Sequence, residues 1–120
     1  MKIIIFAHSF VGFQVTKRLI DNHEISLDNI LVFTYNHNEN KALITFLIDN
    51  SISHSTDSIS NPKAINTALN FEPDLVISAY GRELVPNNIL KIAKLGSFNM
   101  HPSLLPDYRG CFSSAWAIIN

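Results

Sequence analysis

Three continuous apolar runs constrain this fold more than anything else in the sequence: "KIIIFA" at residues 2 to 7, "ILVFTY" at 30 to 35 and "DLVISAY" at 74 to 80. They are rich in β-branched and aromatic residues and lack a polar alternate position, the pattern of strands buried on both faces of a parallel sheet. Such strands need helices above and below, and the intervening segments supply them. After the first run, Val11, Val15 and Leu19 recur at i, i+4 and i+8 with Gln14, Lys17 and Arg18 on the opposite side, and Ser9 stands where an N-cap belongs. "KALITFLIDN", 41 to 50, sets Leu43 with Leu47 and Ile44 with Ile48. Asn61 followed by Pro62 reads as an N-cap and first helical position, opening a short helix through Leu69.

Pro86 opens a further helix with Ile89, Leu90, Ile92 and Ala93 apolar, and Gly96 is placed for a left-handed C-terminal cap. "SFNMH", 97 to 101, is expected as the next strand. The polar "SISHSTDSIS", 51 to 60, makes at most a short outer strand with loop, and "SSAWAIIN" at the end of the sequence reads as a helix just begun. The fold expected is α/β: a Rossmann-like, open, mostly parallel sheet with helices on both faces, incomplete at the C-terminus. Ligands of such sheets bind beyond the carboxyl ends of the strands.

Composition narrows the classes of function. Hydrophobic residues make up 47% and charged residues 16%, which suits a globular core and not a disordered chain. Nine basic residues against ten acidic ones leave a net charge of −1, so the bulk field gives no pull toward nucleic acid or anionic lipid. The single cysteine, Cys111, has no internal disulfide partner, which fits a reducing compartment. The apolar start is too short for a secretory core or a membrane span, so a cytoplasmic location without membrane contact is expected.

Chemistry concentrates in "FNMHPSLLPDYRG", residues 98 to 110. In a strand, Asn99 and His101 share one face while Phe98 and Met100 share the other, where they are expected to pack under a helix. Pro102 removes a ladder donor and biases His101 toward an extended conformation. An Asn amide can donate to a developing oxyanion and a His can move a proton at neutral pH, which suits attack on a carbonyl. The plainer reading of a bare Asn-x-His is a pair of strand-end polar groups satisfied by nearby backbone.

Other candidates carry less. Where a dinucleotide fold places its glycine fingerprint only Gly12 is present, which argues against NAD. His8 and Ser9 either enter a substrate pocket or serve the helix start. His23, His37 and His54 share no metal-ligand spacing and read as surface groups, so no metal is expected. Cys111 reads as a small packing residue in preference to a nucleophile. Tyr108 and Arg109 either hold a phosphate or carboxylate or form a structural turn. "NHNENK", 36 to 41, reads as a solvated loop.

"AYGRELVPNNIL" followed by "GSFNMHPSLLPDYRG" resembles the folate-dependent formyltransferases, a family that includes methionyl-tRNA formyltransferase, glycinamide ribonucleotide formyltransferase and the sugar-nucleotide N-formyltransferases. The resemblance runs from about residue 74 to the end, and the N-terminal half agrees with it in topology. It implies transfer of a formyl group from 10-formyltetrahydrofolate to a primary amine, with Asn99 orienting the formyl oxygen and His101 acting in proton transfer. Glu83, Leu84, Val85 and Pro86 together with Ser103, Leu104, Leu105 and Pro106 would line the folate pocket, Leu84 and Val85 lying against the pterin. Cys111 belongs to that implied set, although the sugar-nucleotide branch often carries Arg at this position. Ser9, Tyr108 and Arg109 would contact the amine substrate.

The stretch from His101 to Asn120 looks more like the sugar-nucleotide branch than the methionyl-tRNA branch, so an amino-sugar nucleotide is the expected acceptor and tRNA the alternative. The family's third catalytic residue, an Asp a few dozen residues beyond the His, has no counterpart, and Asp107 does not match it. Residues 1 to 120 are therefore expected to be the N-terminal part of a catalytic domain. The partner left open by this reading is a second copy or a complementing C-terminal chain, and an inactive fragment is the alternative to an enzyme.

Overall fold

The computed structural model describes residues 1–22 and 24–100, and the backbone of Ala115–Ile118. Along the chain the elements are β1 (Ile3–Ala7), α1 (Ser9–Ile20), β2 (Ile30–Phe33), α2 (Lys41–Asp49), β3 (Ser53–Ser55), α3 (Pro62–Phe71), β4 (Leu75–Ala79), α4 (Asn87–Ile92), β5 (Gly96–Met100) and β6 (Ala115–Ile118). They form one sheet in the order β3-β2-β1-β4-β5-β6. The first five strands in that order run parallel, and β6 lies antiparallel to β5. This is the Rossmann-like sheet expected, with the strand order reversing between β1 and β4.

Strand alternation explains the unbroken apolar runs. Ile3, Ile5, Ala7, Val32, Ile77 and Ala79 face Leu43 and Leu47 of α2 and the apolar stripe of α1. Ile4, Phe6, Leu31, Phe33 and Val76 face Ala64 and Ala68 of α3 and Ile89 of α4. Because both faces of β1 and β2 are covered, neither strand has room for a polar alternate residue. Each fully buried Ile contributes about 1.5–3 kcal/mol of transfer free energy. The polar "SHS" of β3 takes the sheet edge, as its composition demands.

Four local expectations are corrected. The segment expected to begin a helix instead forms β6, pairing Ala115 with Met100, Trp116 with Asn99, Ala117 with Phe98 and Ile118 with Ser97. The open ladder of β5 satisfies its backbone groups, and β-prone "AWAI" takes that pairing over the helix its alanines favour. Ser9 is not the cap: His8 holds the extended N-cap position, and Ser9 is the first helical residue at φ 65°. Gly96 does not cap α4, which closes at Ala93 with φ −76°. Gly96, at φ 100°, makes the turn that starts β5.

The fourth correction concerns Phe98 and Met100. Phe98 is 48% exposed, and the two side chains line a hollow of about 370 Å³ with Ile77 and with Val15 and Leu19 of α1. Helix α1 lies over β1 and β4, so it flanks β5 without covering it.

Candidate functional site

The reversal of strand order between β1 and β4 opens a crevice at their carboxyl ends, and both chain exits there are backbone-strained. Ser9 after β1 and Tyr80 after β4 have φ of 65° and 60°, in the left-handed region that non-glycine residues avoid. The His8 N–H donates to the Ala79 carbonyl at 3.1 Å and the Tyr80 N–H to the Met100 carbonyl at 3.1 Å, so β1, β4 and β5 are tied at that end. Gly81 follows directly. A Cβ there would stand 2.7 Å from Ser78 Oγ and 3.3 Å from Phe6 Cβ, so a larger residue would have to displace the Ser78 side chain.

Asn40 organises the side of the crevice nearest β2. It is fully buried at the end of a 3-10 turn, Asn38–Asn40. Its Oδ1 accepts the Ser9 N–H at 2.8 Å, and its amide nitrogen donates to the Tyr35 carbonyl at 2.9 Å. Those partners have fixed roles, so they set the orientation of the amide. The second amide hydrogen then meets His8 Nδ1 at 3.0 Å, which makes Nδ1 the acceptor. The imidazole proton consequently sits on Nε2, 3.2 Å from the Glu39 carboxylate. Burial pushes the His8 pKa below its ordinary value; Glu39 pulls it upward, and Arg82 and His37 push it down. The neutral ring that results packs edge-on to Tyr35 and to His37.

On the side nearest β4, the Tyr35 hydroxyl accepts the N–H groups of Arg82 at 2.9 Å and Glu83 at 3.1 Å. The Glu83 carboxylate accepts from Ser58 Oγ and from the Ile59 N–H at 3.1 Å. Burial raises the Tyr35 pKa, so the phenol keeps its proton at neutral pH. Three side chains thus link four loops: Asn40 joins those after β1 and β2, Tyr35 those after β2 and β4, and Glu83 those after β4 and β3.

Beyond that turn, a cavity of about 380 Å³ lies between β4, β5, α4 and the segment 81 to 85. Val76, Val85 and Leu90 supply apolar wall, and Ser78, Ser97 and Asn99 bring polar groups to the same space. Ser78 and Asn99 are direct partners across the β4–β5 pairing. Ser97 Oγ is buried with no hydrogen-bond partner among the described residues. A largely apolar cleft with a few converging polar groups at strand carboxyl ends is the usual form of a small-molecule site.

The formyl transferase family model matches residues 1–120. The chain belongs to this family. GDP-perosamine N-formyltransferase of Brucella melitensis is 42% identical over 97 residues, covering 80% of this chain and 38% of that protein. The bifunctional polymyxin resistance protein ArnA of Wigglesworthia glossinidia brevipalpis is 35% identical over 127 aligned positions, covering all of this chain and 19% of that protein. The chain therefore spans well under half the length of these curated relatives. Among solved structures, phosphoribosylglycinamide formyltransferase from Bacillus halodurans superposes with a TM-score of 0.57 at 19% identity, covering 94% of this chain and 63% of that one. A formyltetrahydrofolate deformylase from Pseudomonas syringae pv. tomato gives 0.54 at 18% identity, over 91% of this chain and 38% of that one. At these identities the structural matches speak for the fold.

Against this family frame, the residues singled out from sequence separate into three groups. Asn99, Glu83, Leu84 and Val85 line the cavity beside β4 and β5, with Pro86 at the N-cap of α4 immediately after them. Leu84 is 93% exposed, so within the described residues it meets almost nothing. Ser9 lies across the crevice, its N–H held by Asn40. His101, Ser103, Leu104, Leu105, Pro106, Asp107, Tyr108, Arg109, Cys111 and His23 lie outside the described residues. No group of three His, Cys, Asp or Glu side chains converges as a metal site, and no helix is long and apolar enough to cross a membrane, both among the described residues.

Sequence reasoning missed Asn40 and Tyr35. It took "NHNENK" for a solvated loop, and His37 and Glu39 are indeed exposed while Asn40 is not. The available signal was an Asn immediately before a helical pattern, a position that calls for a local hydrogen-bonding role.

Proposed function

We propose that this chain forms the N-terminal part of a catalytic domain that transfers a formyl group from 10-formyltetrahydrofolate to the primary amine of an amino-sugar nucleotide. The observation that carries the reading is the position of Asn99. It stands at the carboxyl end of β5 and lines the same cavity as Ser78, Ser97 and the 81-to-85 segment, in a chain of the formyl transferase family. The acceptor class rests on the GDP-perosamine N-formyltransferase that is 42% identical to this chain.

The cavity residues fit a folate. Val76, Val85 and Leu90 suit a flat ring, and the orphan Ser97 hydroxyl is a polar atom that such a ring's edge could satisfy. In the reaction the acceptor nitrogen forms a bond to the formyl carbon, the bond from that carbon to the folate N10 breaks, and the proton lost by the amine replaces the formyl group on N10. Asn99 donates its amide hydrogen to the formyl oxygen as negative charge develops there, and His101 moves the proton. In this reading Glu83, Leu84, Val85 and Pro86, with Ser103 to Pro106 and Cys111, make up the donor pocket, and Ser9, Tyr108 and Arg109 serve the acceptor.

The test uses the whole protein with 10-formyltetrahydrofolate and GDP-perosamine, following tetrahydrofolate by absorbance and the formylated sugar nucleotide by mass spectrometry. Product should form in proportion to enzyme, and Asn99→Ala should lower kcat roughly 10²- to 10³-fold with the fold intact. No transfer to any amino-sugar nucleotide, or an Asn99→Ala variant as fast as the wild type, would overturn the reading.

A further inference from the structure

The turn that walls the cavity, residues 81 to 85, carries few restraints of its own. It belongs to no helix or strand, Arg82 and Leu84 are exposed, and Gly81 leaves its first residue permissive. Among the described residues, two side chains hold it by hydrogen bonds. Glu83 reaches outward to the loop before α3, and Tyr35 reaches in from the end of β2 to accept both the Arg82 and Glu83 N–H groups. One oxygen thus fixes two successive peptide units at the cavity mouth. Tyr35 is itself held from below, its carbonyl bonded to the buried Asn40 and its ring against His8. The hydroxyl is thus presented by a residue whose backbone and ring each have a partner.

We propose that Tyr35 is a positioning residue for the formyl-donor pocket: by holding the Arg82 and Glu83 peptides it sets the wall against which the folate ring binds. This rests on the reading of the cavity given above. Tyr35 would act through the turn, so its removal should weaken donor binding selectively. Its phenol keeps its proton at neutral pH, so the hold is that of a neutral hydroxyl and should not vary between pH 6.5 and 8.5.

Tyr35→Phe in the whole protein removes a single oxygen and leaves the ring packed on His8. Amide hydrogen exchange at Arg82 and Glu83 should speed up about tenfold or more, while the amides of β1 and β4 stay as protected as in the wild type. In turnover with 10-formyltetrahydrofolate and GDP-perosamine, the KM for the folate should rise about tenfold, with the KM for the sugar nucleotide within twofold of wild type. A purely structural role would lower the melting temperature and move both constants together. The proposal is overturned if exchange at the two amides is unchanged, if the folate KM is unchanged, or if both KM values shift equally. A wild-type protein that neither binds nor uses the folate would instead bring down the functional reading, and this proposal with it. A wild type that transfers formyl while Tyr35→Phe keeps its folate KM brings down this proposal alone.

Discussion

His8 is a titratable group placed so that one of its two charge states cannot be accommodated well. The Asn40 amide already spends one hydrogen on the Tyr35 carbonyl and aims the other at His8 Nδ1, so protonating Nδ1 would set two donors face to face. Glu39 at Nε2 favours the cation, but burial outweighs it, and Arg82 and His37 oppose the charge as well. The folded-state pKa therefore lies below the ordinary 6.5, and between those values the unfolded chain binds more protons than the folded one. His8 thus adds stability that is fully present above pH 6.5 and is lost as the pH falls toward its folded pKa. Denaturant unfolding at pH 7.5 and 5.5 should show the wild type weakened at the lower pH. His8→Gln, which cannot titrate, should show a smaller loss. A proton NMR titration of His8 with a midpoint above 6.5 would contradict this account.

At the scale of elements, Gly12 shows how closely α1 sits on β1. A Cβ at residue 12 would lie 2.9 Å from the Ala7 carbonyl carbon and 3.0 Å from its Cβ, and backbone cannot step aside as a flexible side chain can. Alanine gains about 1 kcal/mol in helix propensity over glycine. Forcing α1 off the strand costs about 1–3 kcal/mol. Gly12→Ala should therefore lose up to about 2 kcal/mol net in chemical denaturation, whereas a rise in stability would mean the helix can slide outward freely. The same glycine that fell short of a dinucleotide fingerprint in the sequence has this packing task. The parallel strands were legible because burial on two faces erases polar alternation, and α3 because Asn61 does cap it, accepting the Lys63 N–H at 2.9 Å. What stayed illegible depended on distant partners. "AWAI" becomes β6 because β5 offers an open ladder, Ser9 yields the cap because Asn40 takes its N–H, and Asn40 itself looks polar and loop-like until the loops after β1 and β2 meet on it. Of the candidate site, the motif around Asn99 could be read directly, whereas the supports of the 81-to-85 turn come from residues 24 to 48 positions away.

Across the whole molecule, one strand serves two cores. Ile4 of β1 belongs with α3 and α4, and Ile5 with α1 and α2, both completely buried and adjacent in the chain. A sheet clothed on two sides could in principle lose one helical layer before the other. Here β1 is the shared spine, paired to β2 on one side and β4 on the other, and its carboxyl end carries His8 into the crevice. Melting either layer would expose one face of that spine and loosen the strand ends on which the site is built, so the two layers should unfold together. Ile4→Val and Ile5→Val each remove one buried methylene from opposite cores, and each should cost about 1 kcal/mol. Because the two side chains point away from each other and share no cavity, the double variant should lose about 2 kcal/mol, the sum within a few tenths. Urea unfolding followed by far-ultraviolet circular dichroism and by tyrosine fluorescence should give coincident single transitions in all three variants. If Ile4→Val shifts an early transition that Ile5→Val leaves in place, the layers are separate units, and the site would rest on whichever is the more stable.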